Sequence, residues 1–269
     1  MSQVFSSFRP PAVAGTFYPG GPRELAQSLA QMLGAAAASG RPVPKAVIAP
    51  HAGYIYSGPI AASVYALIAP ARERITRVVL LGPTHRVAVR GLALPGVVAF
   101  ATPLGTVEID QAAIEALRGL SQVVVSPQAH ALEHSLEVHV PFLQTTLGRF
   151  KLVPMAVGHA SPQEVAAVLD RLWGGPETLI VVSSDLSHYL PYADAQAVDR
   201  ATAQAILDLA TDISHEQACG ATPVTGLALV ARQRGLTGEL IDLRNSGDTA
   251  GDRDRVVGYG SFAFYDRER

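Results

Sequence analysis

Three short segments carry side chains that bind metals or move protons, and each directly follows an apolar run. Pro50-His51-Ala52-Gly53-Tyr54 follows one, Gly82-Pro83-Thr84-His85 a second, and Ser183-Ser184-Asp185-Leu186-Ser187-His188 a third. Imidazole is the common ligand for transition metals and exchanges a proton near neutral pH. A carboxylate such as Asp185 can orient a histidine or a water. A fourth segment, His134-Ser135-Leu136-Glu137-Val138-His139, precedes an apolar helical stretch. Glu137 lies three residues after His134, a spacing that shares a helix face. His134 and Glu137 read equally as a site wall or as a helix terminus. The spacing is not HExxH, so a zincin site is unsupported.

The chain has a single cysteine, Cys219, in Cys219-Gly220-Ala221-Thr222-Pro223. It can be a small buried apolar residue. It also sits just ahead of an expected helix N-terminus, which favours thiolate, the metal-binding form. A local pairing of His215 with Cys219 ranks lower, because it would ignore the other histidines. His159 and His215 are expected to have no catalytic role.

The elements that must position these groups follow from the hydrophobic pattern. Lys45–Pro50, Arg77–Gly82, Gln122–Ser126, Lys151–Val157 and Thr178–Ser183 are short runs rich in Val, Ile or Leu with little polar alternation. That suits strands covered on both faces, as in a parallel sheet. Helical patterns lie between them at 23–33, 59–68, 110–117, 162–173, 194–209 and 224–234. Ser161 and Glu164 have the spacing of a capping box. Gly238–Leu243 and Val256–Phe264 read as two further strands that pair antiparallel at a sheet edge. The expected fold is α/β, a single domain over 1–269 with a central, mostly parallel sheet flanked by helices. Parallel strands would deliver His51, His85, Asp185 and His188 to one rim, the carboxyl ends where open α/β sheets bind ligands.

Composition narrows the partners. There are 21 basic and 23 acidic residues, a net charge of −2, so no basic face for nucleic acid is expected. With 48% hydrophobic and 16% charged residues, the chain can build a core. One cysteine cannot form an internal disulfide, which suits a reducing compartment. Met1–Pro11 lacks the basic and apolar regions of a secretory signal, and the alanine-rich stretch Leu25–Ala38 is broken by polar residues. No membrane span is expected, and the expected location is cytoplasmic. There is no GxSxG elbow, P-loop or GxGxxG fingerprint.

Seven segments together carry a resemblance. They are RPPAVAGTFYP (9–19), PHAGYIYSG (50–58), LGPTH (81–85), EHSLEVHVPFL (133–143), SSDLSHY (183–189), CGATP (219–223) and NSGDTAGDRDRVVGYGSFAF (245–264). In this order they resemble the MEMO family, mediator of ErbB2-driven cell motility and its prokaryotic relatives. The resemblance implies a fold like that of class III extradiol ring-cleaving dioxygenases, which use non-haem iron. Prokaryotic members are called AmmeMemoRadiSam system protein B, which implies radical-SAM and AMMECR1-like proteins as partners. In animal members two histidines and a cysteine bind iron or copper, at positions matching His51, His85 and Cys219. The neighbouring Asp and His match Asp185 and His188. Eukaryotic members are described as binding phosphotyrosine peptides. Cys219 stands where a dioxygenase facial triad has its carboxylate, and thiolate is a softer ligand.

The function expected from residues and resemblance together is an O₂-dependent oxidoreductase. Its metal is Fe(II), with Cu or Zn as alternatives, held by His51, His85 and Cys219. His188 would be the acid/base and Asp185 its orienter, with Glu137 and His134 lining the pocket. Tyr54 and Tyr189 would stack on a small aromatic or peptide substrate, and Arg86 or Arg90 would meet a phosphate. Two rival expectations are a non-catalytic module binding a peptide or partner, and a zinc-assisted hydrolase.

Overall fold

The computed structural model describes residues 8–36 and 40–266. Residues 1–7, on which part of the N-terminal reading rests, and Ala37 and Ala38 lie outside the described residues. The chain begins with α1 (Pro22–Ala35), β1 (Ala46–Ala49), α2 (Tyr54–Tyr65), a 3-10 turn (Ala66–Ala71) and β2 (Arg77–Pro83). Next come β3 (Leu92–Leu94), a hairpin of β4 (Ala99–Thr102) and β5 (Gly105–Glu108), α3 (Gln111–Ala116), β6 (Val123–Val125) and α4 (Pro127–Ala131). Then follow α5 (His139–Thr146), β7 (Lys151–Val157), α6 (Pro162–Leu172), β8 (Thr178–Ser183) and β9 (His188–Leu190). The chain closes with α7 (Tyr192–Leu207), α8 (Ala221–Arg234), β10 (Thr237–Asn245), a second 3-10 turn (Ser246–Asp248) and β11 (Val256–Tyr265).

The main sheet has the order β10-β11-β1-β8-β2-β7-β3-β6, with β9 added beside β11. Its centre, β1-β8-β2-β7, is parallel. β11 and β10 extend it antiparallel, as the two C-terminal runs predict. β3 runs antiparallel to β7. The protein is therefore α/β, with a mostly parallel sheet between helices.

The unbroken apolar runs follow from burial on both faces. Val47, Val78 and Leu80 enter one core with Leu25 and Leu29 of α1, Tyr65 of α2 and Phe142 of α5. Ile48, Val79 and Leu81, the alternate positions, enter a second core with Leu169 of α6, Ile206 of α7 and Leu227 of α8. Each such side chain stabilises the fold by about 1.5–3 kcal/mol, more than a helix cap at about 1 kcal/mol. The sheet sandwich therefore outranks helix ends in holding the strand tips in place.

Several boundaries differ from the pattern. α2 begins at Tyr54, five residues before the expected Pro59, which lies inside the helix. Proline there gives up one backbone hydrogen bond; tight packing of α2 on the sheet, with Ile60 and Val64 fully buried, compensates. α8 begins at Ala221 with Gly220 as its cap, three residues before the expected start at 224. The capping box at α6 is present as the spacing predicts.

Candidate metal centre

Three loops leave the parallel strands at one rim, and each carries its polar group two residues past the strand. His51 follows β1, His85 follows β2, and Asp185 follows β8, which lies between those two. His134 joins them from the turn between α4 and α5. The rings of His85 and His134 stack at 4.7 Å, and both meet His51 edge-on at 5.2 and 5.4 Å. One ligand nitrogen from each of the three lies within 4.8 Å of the others.

The hydrogen bonds decide which nitrogen is bare. Ser183 Oγ donates its one hydrogen to the Ser135 carbonyl at 2.6 Å. The 2.6 Å contact between that oxygen and His51 Nδ1 must therefore be an Nδ1–H donation. His51 Nε2 is left with its lone pair. His85 is fixed in the same way. Its Nδ1 faces Glu133 Oε1 at 2.9 Å, and its backbone N–H donates to Oε2 at 2.6 Å. The backbone N–H groups of His134 and Ser135 also donate to Oε1. With four donors aimed at it, Glu133 is a carboxylate. Burial opposes its ionisation, but bonds from His85 and Ser135 outweigh that and hold its pKa at about 2. Burial lowers the pKa of His51, aided by the His85 and His134 charges, and lowers that of His134 against the opposing Glu133 charge, so both favour the neutral, ligating form.

Asp185 and Cys219 also approach His51 Nε2. Asp185 Oδ1 accepts the His51 backbone N–H at 2.7 Å, and Oδ2 stands 3.9 Å from His51 Nε2. Burial raises the Asp185 pKa, the His51 backbone bond opposing it. Cys219 Sγ is 3.4 Å from His51 Nε2 and accepts the Asp185 backbone N–H at 3.3 Å. Burial, and then the Asp185 charge, push the Cys219 thiol well above its usual range. That reverses the expected helix-terminus effect: apolar surroundings and a carboxylate outweigh one helix end. Cys219 also falls outside the three-histidine group. Gly220 allows this approach, since a Cβ there would stand 2.5 Å from the Ser183 carbonyl. His188 Nδ1 donates to the Leu186 carbonyl at 2.8 Å, leaving its Nε2 bare too. Tyr189 beside it is 61% exposed with φ of +60°, and Arg255 lies over its ring at 5.1 Å.

Other expected groups have different roles. Glu137 does not line the pocket. Its carboxylate is fully used by Arg9 Nη1, the Ala12 and Val13 N–H groups and the Tyr18 hydroxyl. Residues 135–138 are turn and His134 lies in irregular chain before it, so Glu137 and His134 do not share a helix face. Tyr54 is buried, donates its hydroxyl to the Val138 carbonyl and packs on Phe142, so it cannot stack on a substrate. Arg86 and Arg90 are exposed. His139 is a core residue bonded to the Tyr65 hydroxyl. A cavity of about 340 Å³ opens between His85 and Cys219, walled by Val89, Val157, His159 and His215. A larger one, about 740 Å³, lies at the opposite strand ends around Arg77, Asp110 and Lys151 and touches none of these histidines.

Glu133, Ser183 and Ser135, which hydrogen-bond around the imidazoles, are residues that residue-by-residue reading passes over. The signal was present for Glu133, a carboxylate next to His134. The serines give no signal, because hydroxyls at strand ends are common.

The profile of the Memo family, described as Memo-like protein, matches residues 9–263. A MEMO1 family protein of Aquifex aeolicus is 39% identical, the alignment covering 95% of this chain and 98% of the relative. One of Archaeoglobus fulgidus is 34% identical, covering 95% and 99%. A solved structure of an uncharacterized Escherichia coli K12 protein aligns with a TM-score of 0.48 and 12% identity, over 80% of this chain and 98% of that one. Among the described residues no helix is long and apolar enough to cross a membrane. The chain belongs to the Memo-like protein family.

Proposed function

We propose that this Memo-like protein is an O₂-dependent non-haem metal oxidoreductase, with Fe(II) held at the strand rim by His51, His85 and a third ligand. The observation that carries the reading is the convergence of three imidazole nitrogens, two of them with Nδ1 tied away. This donor set fits a divalent first-row metal: neutral imidazole suits iron, zinc and copper alike. His134 supports the third position by proximity, and Cys219 supports it through its contact with His51 Nε2. When bound, such a metal supplies a Lewis acid with open positions for substrate and O₂. His188, with a bare Nε2, takes or gives the proton. Asp185 holds the His51 loop through its backbone. The cavity beside His85 and Cys219 favours a compact, partly apolar substrate. Anaerobic Fe(II) loading followed by O₂-consumption assays with aromatic and peptide substrates tests this. Turnover no higher than that of His51→Ala protein would sink it.

One observation favours a second reading. Three histidines with a water are the ligand set of some catalytic zinc sites, which suits metal-assisted hydrolysis with Asp185 and His188 as bases. Metal analysis of protein purified without added metal separates the two. Stoichiometric iron supports oxidation and stoichiometric zinc supports hydrolysis.

A further inference from the structure

We infer that Glu133 is the positioning residue of the metal centre: one carboxylate sets the tautomer of His85 and the place of His134. The inference rests on the metal-site reading above.

Glu133 is almost wholly buried, yet it forms no ion pair with a lysine or arginine among the described residues. Its Oε1 receives His85 Nδ1–H at 2.9 Å and the backbone N–H groups of His134 and Ser135 at 2.9 and 3.0 Å. His134 Nδ1 stands 3.3 Å from the same oxygen. Oε2 receives the His85 backbone N–H at 2.6 Å. Every strong partner is a nitrogen of a candidate ligand or of the turn that carries one. A carboxylate needed only for packing would not be placed this way.

The chemical consequence is specific. An acceptor on Nδ1 keeps the proton there and leaves Nε2 bare. Without it, imidazole is free to carry its proton on Nε2, where a metal must bind. The extra charge also makes the ring a better donor, as outer-sphere carboxylates do for ligating histidines. Glu133 is itself fixed from behind: Arg9 Nη2 donates to its backbone carbonyl at 2.7 Å. His51 has a different acceptor, the Ser183 hydroxyl, which reaches Glu133 only through the Ser135 backbone, so the two histidines can be perturbed by different substitutions.

Long-range proton–nitrogen correlation spectra of metal-free, histidine-labelled protein read the tautomers directly. His51→Gln and His85→Gln proteins assign the signals. In the wild type, His85 carries its proton on Nδ1. In Glu133→Ala the proton of His85 moves to Nε2, the His51 signals stay, and Co(II) affinity falls about 10- to 100-fold. If the alanine protein does not fold, Glu133→Gln keeps the volume and one acceptor while losing the charge. It should bind Co(II) at least about 10-fold more weakly, again with His51 unchanged. Wild-type His85 protonated on Nε2, or a folded variant that binds Co(II) as the wild type does, overturns the inference. If the wild type takes up no divalent metal, the metal-site reading fails by itself, and the His85 tautomer still decides what Glu133 does.

Discussion

Arg9 and Glu137, 128 positions apart, form a fully buried ion pair with Nη1 and Oε2 at 2.7 Å. The pair explains the N-terminal motif. Arg9 also donates to the His130 and Glu133 carbonyls, and Glu137 receives the strap at Ala12, Val13 and Tyr18. The strap then places Phe17 against the His134 ring at 4.7 Å. Removing one partner of a buried pair leaves a charge uncompensated and costs about 3–5 kcal/mol. Arg9→Ala should lower stability by that amount in urea unfolding. A loss under about 1 kcal/mol would mean that water compensates Glu137 and the strap is dispensable.

Ser183→Ala tests the other tautomer device. The variant leaves His51 Nδ1–H and the Ser135 carbonyl without their shared hydroxyl. The expected cost is about 1–3 kcal/mol in stability and about 10- to 100-fold in metal affinity. Calorimetric titration with Zn(II) measures the second quantity. Unchanged affinity would show that His51 needs no fixed tautomer.

Gly220→Ala should damage the site from a distance. Its new Cβ would press on the Ser183 carbonyl and on Ser184 Cβ, at 2.5 and 2.7 Å. Overpacking of this kind costs about 1–3 kcal/mol, and the strain falls on the strand end that holds His51 and Asp185. Thermal unfolding and metal titration should both worsen. A variant as stable as the wild type would mean that α8 shifts freely away from β8.

Acid should destabilise the fold from just below neutrality. Burial lowers the pKa of His130 to about 4 and of His139 to about 3, from 6.5. Below pH 6.5 the unfolded chain takes up protons that the folded core refuses, so stability falls as pH falls toward those values. Glu133 adds to this lower down: its stabilisation is present above pH 4.5 and is lost as pH falls through about 2. Urea midpoints should drop steadily between pH 6.5 and 4. A flat profile over that window would show that both histidines are protonated inside the fold.

The sheet was legible because its strands are buried on both faces and therefore read as unbroken Val/Ile/Leu runs. β7 and β8 match their expected limits at both ends. β3, β4, β5 and β9 escaped, being only three or four residues long. At the site, His51, His85 and Asp185 could be placed on one rim because each follows an apolar run, whereas His188 opens β9 beside β11. The separation of Glu137 from His134 could not, because it depends on a turn that resembles a helix in its spacing. Nor could the bond from Arg9, which pairs groups far apart in sequence. The raised Cys219 thiol is not legible for a related reason: its burial and the neighbouring Asp185 arise only on folding.

The most direct measurement is Co(II) binding followed by visible absorption, on the wild type and on His51→Ala, His85→Ala, His134→Ala and Cys219→Ala proteins. The wild type should bind one ion per chain saturably, with a loss of about 100-fold or more on removal of His51 or His85. The larger loss between His134→Ala and Cys219→Ala identifies the third ligand. A wild type that binds no Co(II), or His51 and His85 variants that bind it as well as the wild type, would contradict a metal centre at this rim.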